Sequence, residues 1–157
     1  MLDRTLSLAE RIWIFQCNPE KYRIKEALLD EEVKNGFHWK VKQHKDEIAK
    51  GHIGLMWCSG KSAGIIAIMK LISDPGEFIE SYAERKYWID TTNEDGVQFR
   101  VKMKVVECLK LTKEEIKTVG LQDLSIVRMP RGTNFSVATE QWAILKRELN
   151  NIAHSKY

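Results

Sequence analysis

The chain has 157 residues and a net charge of +3, from 25 Lys and Arg against 22 Asp and Glu. Its 43% hydrophobic and 30% charged content describes an ordinary soluble globule, and the length predicts one domain over 1–157 with a core of useful size. So weak a positive balance argues against a nonspecific nucleic-acid coat, although it is compatible with a nucleic-acid partner.

From the N-terminus, Ile12–Cys17 is a short apolar run that reads as a buried strand. Asn18 and Pro19 suit an N-cap and a first helical position, so Glu20–Leu29 is expected to be helical, burying Tyr22, Ala27 and Leu28. Asn35-Gly36 marks a turn, and Phe37–Val41 follows with Trp39 inside it. Gln43–Lys50 reads as a polar helix closed by Gly51.

The next stretch contains Gly60-Lys61-Ser62, the ending of a phosphate-binding loop. The spacing excludes that reading. Five residues separate Gly54 from Gly60, one too many, and Leu55, Met56, Trp57 and Cys58 are too bulky for a backbone cradle around phosphate. The β-branched run after it favours a strand over the helix such a loop needs. Ile53–Cys58 and Ile65–Ile72 are therefore expected to be strands joined by Ser59–Gly64 as a polar tip.

Asp74-Pro75-Gly76 stops the second strand, and Glu77–Arg85 reads as loop or short helix. Asn93–Gly96 predicts a turn before Val97–Glu107, where Val97, Phe99, Val101, Met103 and Val105 alternate with polar residues at strand period. Thr112 with Glu115 forms a capping box opening a helix over 113–118, which Gly120 ends. The last helix starts near Ser136 or Thr139 and carries Trp142, Leu145, Leu149 and Ile152 on one side. Strands outnumber helices without regular alternation, which predicts an α+β fold with a mixed, strongly curved sheet, a small barrel.

Chemistry-bearing sets are thin. Cys17, Cys58 and Cys108 lie far apart without a C-x-x-C, as expected of reduced, packed thiols in an intracellular protein. His38, His44, His52 and His154 show no metal-ligand spacing, and no serine sits in a nucleophile elbow, so neither a metal, a cofactor nor an enzyme is expected. No secretory pattern opens the chain and no apolar run approaches ~18 residues, which together predict a cytoplasmic protein with no membrane partner.

The five tryptophans say more. Trp13 and Trp142 sit on apolar faces and read as core. Trp39 stands beside His38, Lys40, Lys42, Gln43, His44 and Lys45. Trp57 adjoins the Cys58-Ser59-Gly60-Lys61 tip, and Trp88 follows Arg85, Lys86 and Tyr87. Aromatics interleaved with cations and amides are what stacks a base and holds phosphate nearby, though aromatics sealing a small core read the same way. Arg131-Gly132-Thr133-Asn134-Phe135 is a second polar loop able to present hydrogen bonds around a ring.

Taken in order, Trp13–Pro19, the Trp39 stretch with Gln43-His44-Lys45, Ile53–Gly60 with Ala63–Ile66, and Arg131–Phe135 with Gln141-Trp142 resemble an EVE domain, a PUA-like relative of the YTH domain. The resemblance covers roughly 11–150. Gly51-His52 replaces a frequent Gly-Asp, and Ser136 stands where the family often has Pro. It implies a mixed barrel with helices around it, whose pocket accepts a modified, methylated base flipped from DNA or RNA without chemistry. Carried over by position, the pocket would draw on Gln16, Cys17 and Asn18; on Trp39; on Trp57, Ser59 and Gly60; and on Thr133, Asn134 and Phe135. Lys40, Lys42, Lys45 and Lys61 would contact phosphate. The alternative is a pocket for a free, nucleobase-like small molecule with no polymer partner.

Overall fold

The computed structural model describes residues 11–90 and 96–155. The predicted turn at Asn93–Gly96 lies outside these residues except for Gly96, as does the N-terminal segment 1–10.

A seven-stranded sheet organises the chain. Its strands are β1 (Ile12–Cys17), β2 (Phe37–Lys40), β3 (Ile53–Cys58), β4 (Gly64–Leu71), β5 (Gly76–Phe78), β6 (Gln98–Thr112) and β7 (Asn134–Ser136). The order is β2-β6-β4-β3-β1-β7, with β5 added to β6. β1 runs parallel to β3, pairing Cys17 with Cys58, and the remaining pairings are antiparallel. Four-residue helices α1 (Ile24–Ala27), α2 (Glu31–Lys34), α3 (Tyr82–Arg85) and α5 (Ser125–Arg128), with α4 (Lys113–Thr118) and the long α6 (Thr139–Ser155), surround the sheet. The architecture is α+β with a strongly curled sheet.

Every residue of β3 is buried because the sheet has a core on each face. Trp13, Phe15, Cys17, Met56 and Cys58 point into one core, with Trp39, Tyr22 and Trp88. Ile12, Ile14, Leu55 and Trp57 point into the other, covered by Ile116, Leu124, Trp142, Leu145 and Leu149 from the C-terminal helices. The period-two alternation of the strands assigns each residue its side.

The β3–β4 connection turns at Gly60, whose φ of 103° suits a residue without Cβ, and Ala63 N–H donates to Gly60 O at 3.2 Å to close it. Thr112 and Glu115 form the expected capping box: Glu115 N–H donates to Thr112 Oγ1 at 3.1 Å, and Glu115 Oε1 accepts from Thr112 N at 2.9 Å. Ser81 and Glu84 form a second box that opens α3.

Two predicted helices differ. Glu20–Leu29 is helical only over Ile24–Ala27, because Tyr22 leaves the helix to bridge Trp88, with Arg23 N–H bonded to Tyr87 O and Ile89 N–H to Lys21 O. Gln43–Lys50 forms turns, with His44 at a φ of 56° and its ring 5.0 Å from that of Trp13. Tertiary contacts outweigh the weak helical preference of both segments. β6 runs five residues beyond the expected Glu107, and β7 falls where a loop was expected.

Candidate functional site

At one end of the first core lies a cavity of about 360 Å³, within the ~300–1,000 Å³ typical of small-molecule sites. β1 ends here, bringing Gln16 and Asn18 to the rim. β2 brings Trp39 and Lys40, and the tip after β3 brings Ser59. Tyr22 and Trp88, joined by their isolated bridge, complete an aromatic wall. Gly132 and Thr133 close the far side.

The three wall rings pack on one another. Trp39 and Trp88 are nearly parallel, 7° apart with centroids at 5.7 Å. Tyr22 meets Trp88 edge-on at 4.5 Å and Trp39 at 5.5 Å. Trp39 is 4% exposed and Trp88 9%, so the wall offers ring edges and limited faces to the cavity. A third ring between Trp39 and Trp88 needs two stacking distances, about 7 Å, which exceeds their separation.

Hydrogen bonds fix each ring. Trp39 Nε1–H donates to Gln16 O at 3.1 Å, and Tyr22 Oη–H to Glu84 O at 3.0 Å. Trp88 Nε1–H is held between the two carboxylate oxygens of Glu80 at 2.8 and 3.0 Å. Glu80 pairs with Arg100 at 3.5 Å, and both side chains are 2% exposed or less. Arg100 donates in turn to Phe78 O and Gly96 O. A buried ion pair thus aims an indole at the cavity. On the same side, buried Glu84 accepts from His38 N–H at 2.7 Å and meets His38 Nδ1 at 2.7 Å.

The rim is polar and basic. Lys21, Lys40 and Lys42 surround the opening, and Lys40 Nζ lies 5.3 Å from the Trp88 ring, which attracts a cation to its face. Gln16 Nε2 donates to Pro130 O at 2.9 Å and to Gly132 O at 2.8 Å, so both of its amide hydrogens serve the far wall. Gly132 stands at a φ of 130°, conformational space that side chains avoid, which lets the loop turn tightly over Gln16. Asn18 Oδ1 accepts from Glu20 N–H at 2.9 Å. Ser59 and Thr133 add hydroxyl groups.

Two of the thiols are held in their protonated form. Burial, with a smaller contribution from Cys58, pushes the Cys17 thiol far up, and Cys17 Sγ–H points at Tyr22 O. Burial also raises Cys58. The Tyr22 phenol is raised by burial and then by Glu80 and Glu84, so it stays a neutral donor. Among the described residues no group of His, Cys, Asp and Glu has the arrangement to hold a metal ion, and no helix is long and apolar enough to cross a membrane.

The family model for the EVE domain matches residues 11–148. The chain belongs to the EVE domain family. Solved structures with the same curled sheet include human THYN1 in complex with DNA containing 5-methylcytosine, at a TM-score of 0.61 and 13% identity, covering 88% of this chain and 96% of that one. The YTH domain of Mmi1 in complex with RNA matches at a TM-score of 0.60 and 14% identity, covering 97% and 85%. Rpa0253 from Rhodopseudomonas palustris matches at 0.63 and 14%, covering 87% and 91%. At these identities the likeness is one of fold. A comparison with curated proteins finds no match in sequence.

Within this EVE domain the sequence-derived residues separate into groups. Gln16, Asn18, Trp39, Ser59, Thr133, Lys40 and Lys42 line the cavity. Trp57 does not: the sheet's alternation sends it into the opposite core, so no Trp39–Trp57 pair encloses a ring. Phe135 is buried in that same core. Cys17 packs beneath the cavity in the first core. Gly60 and Lys61 line a neighbouring cleft that shares Asn18 and Ser59 with the cavity, and Lys45 Nζ sits 5.3 Å from the Phe99 ring. Asn134 is 2% exposed, and its side chain is taken up by the backbone of residues 40–43.

Tyr22, Trp88 and Lys21 reach the cavity without having been placed there from sequence. Trp88 carried a signal, its position after Arg85-Lys86-Tyr87. Tyr22 was assigned to the buried side of a helix, and nothing local shows that it leaves the helix to bridge Trp88.

Proposed function

We infer that this EVE domain is a non-catalytic nucleic-acid-binding module that reads a modified, methylated base flipped into the aromatic cavity. The observation that carries this reading is the wall of Tyr22, Trp39 and Trp88 in a concave site rimmed by Lys21, Lys40 and Lys42. Stacking a base on an aromatic contributes ~1–3 kcal/mol, against a flipping cost of a few kcal/mol in a duplex and little in a single strand. The base meets the accessible face and edges of the Trp39–Trp88 pair, displacing the Lys40 ammonium toward the phosphate. Ser59, Asn18 and Thr133 offer hydrogen bonds to its edge. A methyl against the indoles adds about 0.8 kcal/mol, roughly fourfold in affinity.

The neutral thiols and the uncharged Tyr22 phenol support binding without covalent chemistry. THYN1 with methylated DNA and the YTH domain of Mmi1 with RNA support a nucleic-acid partner on this fold.

The test is a titration of matched oligonucleotides, methylated and unmodified, followed by fluorescence anisotropy for wild type and Trp39→Ala. Tighter binding of the methylated strand, lost in the variant, is the expected result. Equal affinity for both strands by both proteins contradicts the reading. Salt-indifferent binding of a free nucleobase that oligonucleotides fail to displace points instead to a small-molecule pocket.

A further inference from the structure

We propose that a second cavity, formed by the start of β1, the end of α5, the loop 129–133 and the first turn of α6, binds the phosphodiester backbone beside the base. The inference rests on the reading of the aromatic cavity given above. The second cavity has a volume of about 630 Å³ and is lined by Arg11, Arg128 and Arg131 against one carboxylate, Asp123.

The arginines differ in how far they are committed. Arg11 pairs with Glu47 at 3.5 Å and lies 4.9 Å from the Trp13 ring centroid. Arg128 and Arg131 are exposed, and neither makes an ion pair or side-chain hydrogen bond among the described residues. Two uncommitted guanidinium forks in one concavity, with a single opposing acid, suit phosphate oxygens, which they engage bidentately. The concave shape strengthens their joint potential.

The link to the aromatic cavity is covalent and rigid. Arg131 faces the second cavity, while its neighbours Gly132 and Thr133 face the first. Gln16 holds this shared wall at three points: its Nε2 donates to Pro130 O and Gly132 O, and its backbone N–H to Thr133 O at 2.8 Å. A strand whose base enters the first cavity therefore has its backbone beside Arg131, with Arg128 next along the groove. This continuity favours a nucleic-acid strand over a free anion.

The experiment is fluorescence anisotropy with methylated and unmodified single-stranded oligonucleotides between about 50 and 200 mM salt, the range over which counterion release is pronounced. The protein is compared with the Arg128→Gln/Arg131→Gln double variant, whose changes are confined to exposed side chains. Two lost contacts at ~0.7 each make the salt slope shallower by about 1.4 and lower affinity about 25-fold near 0.1 M salt, equally for both strands. Inorganic phosphate beyond its ionic-strength effect leaves the complex intact.

An unchanged slope and affinity in the double variant overturn the proposal, as does specific displacement of the strand by inorganic phosphate. Loss of slope in the double variant without any methyl preference in wild type upholds this subsite and removes the base-reading role of the aromatic cavity. Absence of oligonucleotide binding by wild type removes both.

Discussion

Gln43 and Asn134 each bind the other's backbone. Gln43 Oε1 accepts from Thr133 N and Asn134 N, both at 2.9 Å. Asn134 Oδ1 accepts from Lys42 N at 2.7 Å and Gln43 N at 3.1 Å, while its Nδ2 donates to Lys40 O at 3.0 Å. β2 and β7 are the two ends of the strand order, so this reciprocal clamp draws together the ends of the curled sheet that backbone pairing leaves apart. It also places Lys40 and Lys42 opposite Thr133 across the cavity.

Asn134→Ala therefore acts on stability first. It removes three part-buried bonds, each contributing roughly 0.5–1.5 kcal/mol. Urea unfolding is expected to show a loss of about 2–4 kcal/mol. Gln43→Ala, at an exposed position, is expected to cost about 1 kcal/mol.

Trp57 provides a contrast with Trp39. Because Trp57 lies in the opposite core, Trp57→Phe is expected to lower stability while leaving oligonucleotide affinity and methyl preference unchanged. Trp57→Ala is expected to cost about 3–5 kcal/mol in urea unfolding, as large-to-small core changes do. A selective loss of methyl preference in Trp57→Phe contradicts the assignment of faces.

Glu80→Gln tests the support of Trp88. The change removes the buried carboxylate that faces Arg100 at 3.5 Å, and breaking a buried pair costs up to about 3–5 kcal/mol. Alongside this destabilisation, Trp88 loses its carboxylate acceptor, so a shift in indole emission is expected. Stability and emission matching wild type contradict the account.

The pH dependence has a definite sign at the alkaline end. Folding raises the Cys17 thiol above its ordinary 9.0 and the Tyr22 phenol above 10.0, chiefly by burial. A group raised in the folded state binds its proton more tightly there, so its stabilisation is complete below the unfolded value and is lost as pH rises beyond it. Stability is expected to fall from about pH 9 upward, and Cys17→Ser, which removes one of these groups, is expected to flatten the onset of that fall relative to wild type. At the acid end, Glu115 is held below its usual value by its bonds to Thr112, so the α4 capping box weakens as pH drops through the carboxylate range. Urea midpoints measured across pH check both limbs.

Much of the fold was legible because its signals are local. The alternation in β6 and the apolar runs of β1 and β3 identify strands, and the Thr112–Glu115 box locates a helix start to the residue, whereas Val97, which the alternation assigns to the core, is exposed and Arg100, which it assigns to solvent, is buried against Glu80. The helix expected over 20–29 is cut to Ile24–Ala27 and the one expected over 43–50 does not form, both for nonlocal reasons: Tyr22 is claimed by Trp88, and the Gln43 side chain by the loop of Thr133. The site was legible in part. Trp39 and its lysines announce themselves by composition. Trp57 follows the alternation of β3 onto the face opposite Met56 and Cys58, but which of the two faces carries the cavity depends on the packing of β2 and the Tyr22–Trp88 bridge, which no local pattern reveals. Asn134 is polar and adjoins the cavity's rim, yet its bonds run to distant backbone groups.

The most direct measurement follows the indole N–H resonances during titration with a methylated oligonucleotide. The five tryptophans report separately on the two cores and the cavity. Shifts at Trp39 and Trp88, with Trp13 and Trp57 unmoved, are the predicted result. Saturating binding that leaves Trp39 and Trp88 where they were would contradict the claim that this wall receives the base.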